Sequence, residues 1–403
     1  MSRIIAFVPA KGSSDRIPNK NLAVLDGEYL FKHKLRQLLE CPQISAVVLD
    51  TDSDQIAALA ADLPVRRLSR PSALASNTTD GHELFTWECA QVPGDIYIQA
   101  LCTAPFVSAH TVTRAVEALT QSAEHDSLVA VWQGKQYTWT NGQPDYGRGR
   151  IPNSGDLPEI TIEAMSLYIV RAPVLSSRRR FGSTPLFFPL NPMETVDVNW
   201  PEDLMLAETI AAGVRAQENL RLGALAPYLT SAMLSDITRE MGLKCTLPRE
   251  VCGKGRLFGR AKTLLLDHPR EGESWKGIYD ALDSYRFIRP GDVIVVENRV
   301  KERAYFGNLN AQLAIRAGAV GAVVDGVTRD FEDVQKLGLP VFSRGHYGVD
   351  MKFEGTLRSM NMPINIGEVH IENGDYIFGD SDGVTAIPFK LWSDVRQRLL
   401  RGI

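Results

Sequence analysis

The chain has 403 residues, too many for one compact domain and enough for two or three. Its hydrophobic fraction of 44% and charged fraction of 23% are those of an ordinary globular protein, which excludes collagen-like, mucin-like and wholly disordered chains. Lys and Arg total 44 against 48 Asp and Glu, so the net charge is -4 and the overall basic surplus of a nucleic-acid binder is missing. We expect no nucleic-acid partner, whereas local basic loops leave a small anionic substrate open.

Cysteine usage and hydropathy point to one compartment. The five cysteines are spread along the chain without a CxxC pair, which favours reduced, mostly buried thiols over a zinc site. The first residues carry too short an apolar run for a signal peptide, and no stretch of about 18 apolar residues occurs. We therefore expect a cytoplasmic protein without a membrane segment.

In the first half, short apolar runs alternate with helical patterns. Strands are predicted at residues 4–8, 46–49 and 95–99, and helices at residues 30–39 and 54–61. Such alternation indicates a parallel sheet with right-handed crossovers, whose ligands lie beyond the carboxyl ends of the strands. We expect the loops after Val8, Leu49 and Gln99 to converge there.

The rest of this half is less regular. Residues 131–160 are rich in Trp, Tyr, Gly and Pro and predict a long ordered excursion, either a lid or a dimer arm. A strand at 166–170 and a helix at 201–212 follow, and the polar residues 213–222 predict a junction. We place the domain boundary between residues 217 and 218.

The second half, residues 218–403, has its own α/β pattern. A helix is predicted at 225–241, strands at 292–296, 320–324 and 339–342, and a helix at 311–317. The last third is expected to be rich in strands before a closing amphipathic helix at 388–400.

The loop of residues 9–21, PAKGSSDRIPNKN, carries the first chemical signal. It follows the first strand, its Gly and Ser residues let backbone N–H groups approach an anion, and three cations fall within ten residues. The loop fits neither the Walker pattern nor GxGxxG. On these residues alone, a solvated basic loop is an equally good interpretation.

The same loop resembles the signature PARGGSKRIPxKN of the cytidylyltransferases that activate sialic and related ulosonic acids. Further segments resemble this family in the same order: LDTDS at 49–53, RPSALA at 70–75, QALCTAPF at 99–106 and ETVDVNWPEDL at 194–204. The resemblance implies a Rossmann-like nucleotidyltransferase domain with a parallel-rich sheet, in which a sugar-acid hydroxyl attacks the α-phosphate of CTP and pyrophosphate leaves.

The resemblance also implies roles for individual residues. Phosphate-binding cations would be Lys11, Arg16 and Lys20, and Asp197 and Asn199 would hold Mg²⁺ or Mn²⁺. The nucleotide would contact Gly12, Ser13, Ser14, Asn21, Arg70 and Gln99. Three positions depart from the family pattern: Lys11 replaces an Arg, Asp15 a Lys and Asn199 an Asp, which leaves weaker metal affinity, an unusual acceptor or an inactive site open.

A second signal lies in the later half. A Gly-led turn, GNLNA at 307–311, precedes a helix and offers backbone N–H groups to a carboxylate. A buried strand then ends in DGVTRD at 325–330, which supplies an Arg for a 2-oxo acid and an Asp for a cation. Without a family, a structural Arg329–Asp330 pair is the commoner interpretation.

This half resembles RraA-like proteins and class II pyruvate aldolases that cleave 4-hydroxy-4-methyl-2-oxoglutarate. Matching segments are TSAMLSD at 230–236, GDVIVVE at 291–297, DGVTRD at 325–330 and GDSDGV at 379–384. The resemblance implies an α/β swivelling domain in which Asp330 holds the metal ion and a 2-oxo acid such as pyruvate contacts Gly307, Asn308, Leu309, Asn310 and Arg329.

Two functions from different classes follow. The first is a bifunctional enzyme: a CTP-dependent cytidylyltransferase fused to a metal-dependent pyruvate aldolase or 2-oxo-acid decarboxylase. The alternative is a regulatory or scaffolding protein that binds RNase E or oligomerises, with a degenerate nucleotide site. By resemblance, a homo-oligomer is expected, dimeric through the first domain and trimeric or hexameric through the second.

Overall fold

A computed structural model of the protein describes residues 2–76 and 78–402, with side chains in the closing helix described up to residue 400. The chain divides into two compact units, Met1–Ile210 (unit 1) and Ala211–Ile403 (unit 2). The division lies inside the helix Pro201–Leu225. Among the described residues, no helix is both long and apolar enough to span a lipid bilayer.

Unit 1 alternates strands and helices from its first residues. Its strands are β1 (Ile4–Pro9), β2 (Val24–Leu25), β3 (Glu28–Tyr29), β4 (Ala46–Thr51), β5 (Arg66–Ser69), β6 (Ile96–Ala100), β7 (Ser127–Gly134), β8 (Trp139–Thr140), β9 (Gln143–Pro144), β10 (Ile160–Arg171) and β11 (Pro185–Pro189). Its helices are α1 (Leu30–Leu39), α2 (Asp54–Leu59), α3 (Gly81–Gln91), α4 (Ala109–Gln121) and α5 (Pro201–Leu225). The α/β class predicted from the alternation is confirmed.

The main sheet of unit 1 has the strand order β11-β7-β10-β6-β1-β4-β5. The pairs of β1 with β4 and β6 are parallel, as is that of β4 with β5, so the predicted parallel core of the sheet is confirmed. Strand β10 instead runs antiparallel to both β6 and β7, which the sequence analysis did not predict. The central strand β1 is apolar along its length because helices cover both faces of such a sheet.

Two segments have more regular structure than the sequence analysis predicts. Residues 131–160 are a long connection whose two ends belong to the paired strands β7 and β10, and β8 and β9 form a hairpin between them. The helix predicted at 201–212 continues to Leu225, so the polar segment 213–222, predicted as the junction, is helical.

Unit 2 is a second mixed α/β domain. Its strands are β12 (Cys252–Gly253), β13 (Leu257–Asp267), β14 (Asp292–Asn298), β15 (Gly321–Val324), β16 (Val341–Ser343), β17 (Thr356–Met360), β18 (Ile364–Ile366), β19 (Val369–Ile371), β20 (Tyr376–Asp380) and β21 (Gly383–Ile387). Its helices are α6 (Ser231–Glu240), α7 (Asp280–Asp283), α8 (Asn308–Ala317), α9 (Phe331–Lys336) and α10 (Trp392–Gly402).

The larger sheet of unit 2 has the order β12-β16-β15-β14-β13-β20-β21, with β17 also paired to β13. Strands β13 to β16 are parallel, and buried apolar side chains cover this part on both faces. The predicted strands at 292–296 and 320–324 and the strand-rich last third are confirmed. The helix predicted at 225–241 is interrupted, because Pro227 lies in a short 3-10 turn and the Thr230 hydroxyl caps α6 by accepting from Met233 N.

Candidate functional site

A cavity of about 740 Å³ opens at the carboxyl ends of the parallel strands of unit 1. The loops after β1 and β6 converge on it, as the alternating pattern predicts, whereas the loop after β4 supplies none of the lining residues and the segment after β5 contributes Arg70. It is lined by Pro9, Lys11, Ser13, Ser14, Asp15, Arg16, Lys20, Asn21, Arg70, Leu101, Cys102, Thr103, Met165, Asp197 and Asn199. The cavity therefore brings together most of the predicted phosphate, nucleotide and metal residues from distant parts of unit 1.

Asn21 fixes the basic loop against the end of β6. Its Nδ2 donates to the Lys11 carbonyl at 2.7 Å, and its Oδ1 accepts from Cys102 Sγ at 3.0 Å. Burial raises the pKa of Cys102 to about 11, which keeps the thiol protonated and able to donate. Asn21 thus orders the loop, and both of these side-chain groups are engaged within the protein.

Lys20 joins the basic loop to the segment before α5. Its Nζ donates to the carbonyl of Val198 at 3.1 Å, a residue 178 positions later in the sequence. Burial lowers the pKa of Lys20, the Arg16 charge acts in the same direction, and the Asp197 carboxylate opposes both. The structure thus places Lys20 beside Asp197, where a cation and a carboxylate face the same cavity.

Asp197 is the acidic group of this cavity with an unmet hydrogen-bonding requirement. Asn199 Nδ2 donates to its Oδ2, while Oδ1 is buried without a hydrogen-bond partner among the described residues. Burial raises the pKa of Asp197, and the neighbouring Thr103 hydroxyl, the hydrogen bond from Asn199 and the charge of Lys20 counteract this. A buried carboxylate oxygen without a partner, with an amide oxygen two residues away, suits a hard divalent cation.

Arg16 and Arg70 both line the cavity, but their guanidinium groups differ in exposure and in how firmly they are held. Arg16 is exposed, with its guanidinium carbon 5.5 Å from the centroid of the Trp200 ring, a cation–π contact. Arg70 is buried and bound to Asp50, with Nη2 at 2.6 Å and Nε at 3.0 Å from Oδ2. Asp50 therefore holds Arg70 rigidly, whereas the exposed Arg16 packs over the Trp200 ring.

Gly12 and Gln99 lie outside the lining, unlike the other residues predicted to contact the nucleotide. The Gly12 N–H donates to Asp52 Oδ1 at 2.8 Å, and a Cβ at this position would lie 2.8 Å from Ser53 Cβ. Gln99 is fully buried and its Nε2 donates to Glu88 Oε2. The structure thus corrects their placement: Gly12 allows close packing of two loops, and Gln99 belongs to the core.

The sequence analysis predicted no binding role for six other lining residues, namely Pro9, Asp15, Leu101, Cys102, Thr103 and Met165. Leu101 and Thr103 follow β6 directly, so the predicted convergence of loops at that strand was a usable signal. Met165 lies inside β10, where nothing in the local sequence distinguishes it from an ordinary strand residue.

In unit 2, Arg329 and Asp330 follow β15 and precede α9. Arg329 Nη1 lies 2.8 Å from Asp350 Oδ2, and its Nε lies 3.8 Å from Asp330 Oδ2. All three side chains are partly exposed. The Arg329 side chain therefore lies between two carboxylates, and Asp350 is a partner that the sequence analysis did not identify.

The Gly-led turn before α8 contacts the same pair. Asp330 Oδ2 accepts from the Asn308 N–H at 3.0 Å, and a Cβ on Gly307 would lie 2.6 Å from that oxygen, so a glycine is needed there. The Leu309 side chain is exposed, whereas Asn310 is buried. Of the predicted 2-oxo-acid residues, Gly307, Asn308 and Arg329 come together, while the side chain of Asn310 lies in the core.

A second cavity, of about 570 Å³, lies beside Arg329. Its lining is mostly apolar, with a few polar groups. The lining residues are Cys252, Gly253, Lys254, Gly255, Phe306, Thr328, Arg329, Phe331, Val334, Gln335, Gly338, Leu339, Pro340, Val341 and His346. His346 Nδ1 is 3.0 Å from Thr328 Oγ1, and burial lowers the pKa of the imidazole, which favours its neutral form.

The donors available for a cation in unit 2 are few. Asp330 is a partly exposed carboxylate, and no group of three or more His, Cys, Asp or Glu side chains with ligand geometry occurs in the described part of the chain. Mg²⁺ commonly binds through one or two carboxylates and completes its shell with water and substrate. Asp330 fits that mode of binding.

Comparison with known proteins agrees with the division of the chain into two units. The Aldolase/RraA family model matches residues 231–386. In that region the chain is 42% identical over 134 residues to a provisionally assigned 4-hydroxy-4-methyl-2-oxoglutarate aldolase of Halalkalibacterium halodurans, covering 33% of this chain and 60% of that protein. The chain thus spans less than two thirds of the length of this relative.

The first half is similar to enzymes of another kind. It is 28% identical over 227 residues to CMP-N,N'-diacetyllegionaminic acid synthase of Legionella pneumophila, covering 52% of this chain and 96% of that protein. It is 26% identical over 184 residues to 3-deoxy-manno-octulosonate cytidylyltransferase of Chlorobium chlorochromatii, covering 45% and 69%. The Cytidylyltransferase model matches residues 5–211, and the chain belongs to the cytidylyltransferase family, with an RraA-like second unit.

Proposed function

We propose that unit 1 transfers CMP from CTP to a sialic- or ulosonic-type sugar acid. The observation that carries this proposal is the cavity in which Lys20, bonded to the Val198 carbonyl, lies beside Asp197 and Asn199. In the reaction, a hydroxyl oxygen of the acid bonds to the α-phosphorus of CTP, the bond to the β-phosphate oxygen breaks, and pyrophosphate leaves. Charge builds up on the phosphate oxygens, and fixed cations stabilise it.

The residues of the cavity divide this work by position. Lys11, Arg16 and Lys20 bind the triphosphate, and Ser13 and Ser14 offer hydrogen bonds from the loop. Arg70, held by Asp50, presents a rigid guanidinium to the nucleotide. Asp197 and Asn199 would hold Mg²⁺ or Mn²⁺, which neutralises phosphate charge when bound.

The test is pyrophosphate release by the full chain with CTP, Mg²⁺ and a panel of sialic and ulosonic acids. We expect release that depends on one class of acid and on CTP, and formation of the CMP ester by mass spectrometry. Reactions lacking the acid or containing ATP in place of CTP are the controls. Absence of turnover with every acid, in a folded protein that binds CTP, would contradict the proposal.

For unit 2 we propose a metal-dependent pyruvate aldolase or 2-oxo-acid decarboxylase. The supporting observation is that Gly307 lets Asp330 approach both Arg329 and the start of α8. Arg329 would bind the carboxylate or keto oxygen of the 2-oxo acid, and Asp330 would hold Mg²⁺ or Mn²⁺. The cation, when bound, would polarise the keto group and favour enolisation.

A regulatory or scaffolding role for unit 2 is the second candidate. It is favoured by one observation, that the charged groups already have partners within the chain. Arg329 is paired with Asp350, and Asp330 accepts a hydrogen bond from the Asn308 N–H. Oxaloacetate decarboxylation by the full chain discriminates the two functions. Activity abolished by EDTA supports the enzyme, whereas no activity together with tight RNase E binding or an assembly lost on deleting unit 2 supports the scaffold.

A homo-oligomer and a cytoplasmic location complete the proposal. The family resemblances support a dimer through unit 1 and a trimer or hexamer through unit 2. Light scattering of the full chain and of each unit expressed separately measures these states directly, and fractionation of the native cells measures the location.

A further inference from the structure

Strand β10 carries an irregularity beside the cavity of unit 1. Glu163 pairs with Val131 of β7 and Tyr168 pairs with Val129, so four residues of β10 oppose a single residue of β7. Leu101 N donates to the Ser166 carbonyl at 2.8 Å, which fixes the irregular segment to the end of β6. This bulge places Met165 on the lining of the cavity.

The backbone of Met165 is strained. Its φ is +46°, in the left-handed region that residues with a Cβ adopt rarely and glycine adopts readily. Its side chain is 44% exposed, between the buried residues Ala164 and Ser166. A non-glycine residue in this conformation at a candidate ligand site indicates that the side chain itself has a use there.

The thioether of Met165 is also held in place. The Tyr168 hydroxyl lies 3.1 Å from its Sδ and also bonds to Glu163. The ring of Tyr168 is buried and packs against the Arg180 guanidinium, whose central carbon lies 4.9 Å from the ring centroid. The side chain is therefore positioned by a buried aromatic residue on its own strand.

The position of Met165 within the sheet indicates which part of the ligand it faces. The order β10-β6-β1-β4-β5 puts Met165 beside the loop after β6 and Arg70 at the opposite side, after β5. The basic loop after β1 lies between them, with the cations for the phosphates. If the phosphates bind centrally and Arg70 faces the nucleoside, the acceptor acid lies against Met165.

We propose that Met165 determines the acceptor specificity of unit 1, an inference that rests on the proposed CMP transfer. Most of the lining residues are polar or charged, and Met165, together with Pro9 and Leu101, supplies apolar side chains to the cavity. An apolar substituent of the acid, such as the methyl group of an acylamino arm, packs against the Met165 thioether and excludes water. Unit 1 then prefers acids with such a substituent over analogues with a hydroxyl at the same carbon.

The experiment uses two matched acceptors, N-acetylneuraminic acid and its analogue with a hydroxyl in place of the acetamido group. For the full chain we expect kcat/KM to favour the acetamido acid about 10-fold or more, the scale of a small apolar contact. Met165→Gly, which suits the positive φ, should remove most of this preference through the KM of the acid. The KM of CTP should stay the same.

Two further variants separate the apolar contact from the shape of the bulge. Met165→Leu keeps an apolar side chain and should keep the preference, whereas Met165→Gln has a similar length and should lose it. Ile162→Gln, an exposed change on the same strand outside the cavity lining, is the control. Thermal unfolding of each variant establishes that it is folded.

The outcomes distinguish this inference from the function on which it rests. An unchanged acceptor preference in both Met165→Gly and Met165→Gln, with wild-type turnover present, overturns the inference alone. A raised KM for CTP with an unchanged acceptor preference assigns Met165 to the nucleotide and also overturns it. Absence of turnover in the wild-type chain with any acid removes the proposed function and this inference together.

Discussion

The two candidate sites differ in how their charged groups are paired. In unit 1, Lys20 is bonded to a backbone carbonyl, and Asp197 keeps one buried carboxylate oxygen that has no hydrogen-bond partner in the described part of the chain. In unit 2, Arg329 is paired with Asp350, and Asp330 accepts from the Asn308 N–H. A ligand at the first site would satisfy a group that is unmet, whereas a ligand at the second must exchange with contacts that the chain already makes.

The two sites therefore place different requirements on a bound ligand. Unit 1 has a buried group whose desolvation a cation would compensate, so its metal dependence should be sensitive to small changes in the ligand set. The 2-oxo acid proposed for unit 2 would compete with contacts that the chain already makes, so the contribution of each residue would depend on that exchange. Substitutions at Asp330, Lys20 and Asp197 should expose this difference.

Asp330→Ala should abolish oxaloacetate decarboxylation by the full chain, because it removes the only carboxylate at the turn that contacts the start of α8 among the described residues. EDTA should do the same to the wild type. CTP turnover by unit 1 should remain nearly unchanged in the variant, which serves as an internal control for folding. Decarboxylation that survives the substitution and still requires metal would show that Asp330 is not the ligand.

Lys20→Ala should lower the turnover of CMP transfer by on the order of 100-fold or more, the scale of one lost transition-state donor. The measurement is the steady-state rate of pyrophosphate release. Arg66→Ala, which removes an exposed cation on β5 outside the cavity lining, is the matched control and should have little effect. An unchanged rate in folded Lys20→Ala would remove this residue from the site.

Asp197→Ala should raise the Mg²⁺ concentration required for half-maximal turnover by about 10-fold or more, the size of effect seen when a metal site loses a supporting group. Asn199→Asp should lower that concentration, because a second carboxylate adds charge to the ligand set. Magnesium titration at saturating CTP measures both. If Asn199→Asp leaves the magnesium dependence unchanged, position 199 is not a ligand.

Lys34 of α1 tests the cost of a buried charge away from the ligand site. Its Nζ donates to the Val107 carbonyl at 2.8 Å, and burial lowers its pKa from 10.5 to about 7. Between these values the unfolded chain binds more protons than the folded one, so the free energy of unfolding should rise with pH, by at most about 1.4 kcal/mol per pH unit. Lys34→Met should remove this slope in urea unfolding at pH 7 to 9, and an equal slope in both proteins would contradict the assignment.

Much of the fold followed from sequence patterns with a physical cause. The helix α1 at residues 30–39 and strand β1 were predicted because apolar periodicity separates a half-buried helix from a buried strand. The antiparallel direction of β10 could not be predicted, since a short apolar run predicts a buried strand but does not indicate whether it pairs in the parallel or the antiparallel direction. The helical continuation through residues 213–222 was also missed, because polar residues are equally compatible with an exposed helix and a loop.

The candidate sites show the same limit. The loop residues Lys11, Arg16 and Lys20 were identified because they lie together in the sequence after a strand. Met165 and Asp350 were missed because each reaches its site through long-range pairing: the first through a bulge in β10 and the second through a contact with Arg329. Gln99 was misplaced because its position at a strand end does not reveal that Glu88 binds it in the core.

The distribution of thiols makes unit 2 open to selective labelling. Cys41, Cys89, Cys102 and Cys245 are buried, and burial raises the pKa of each of these thiols, which makes them slow to react with alkylating reagents. Cys252 is exposed and lines the cavity beside Arg329. A fluorophore attached by maleimide chemistry would therefore mark this one cavity in the native chain. Its emission would then test, without any engineered cysteine, whether the 2-oxo acid proposed for unit 2 binds beside Arg329.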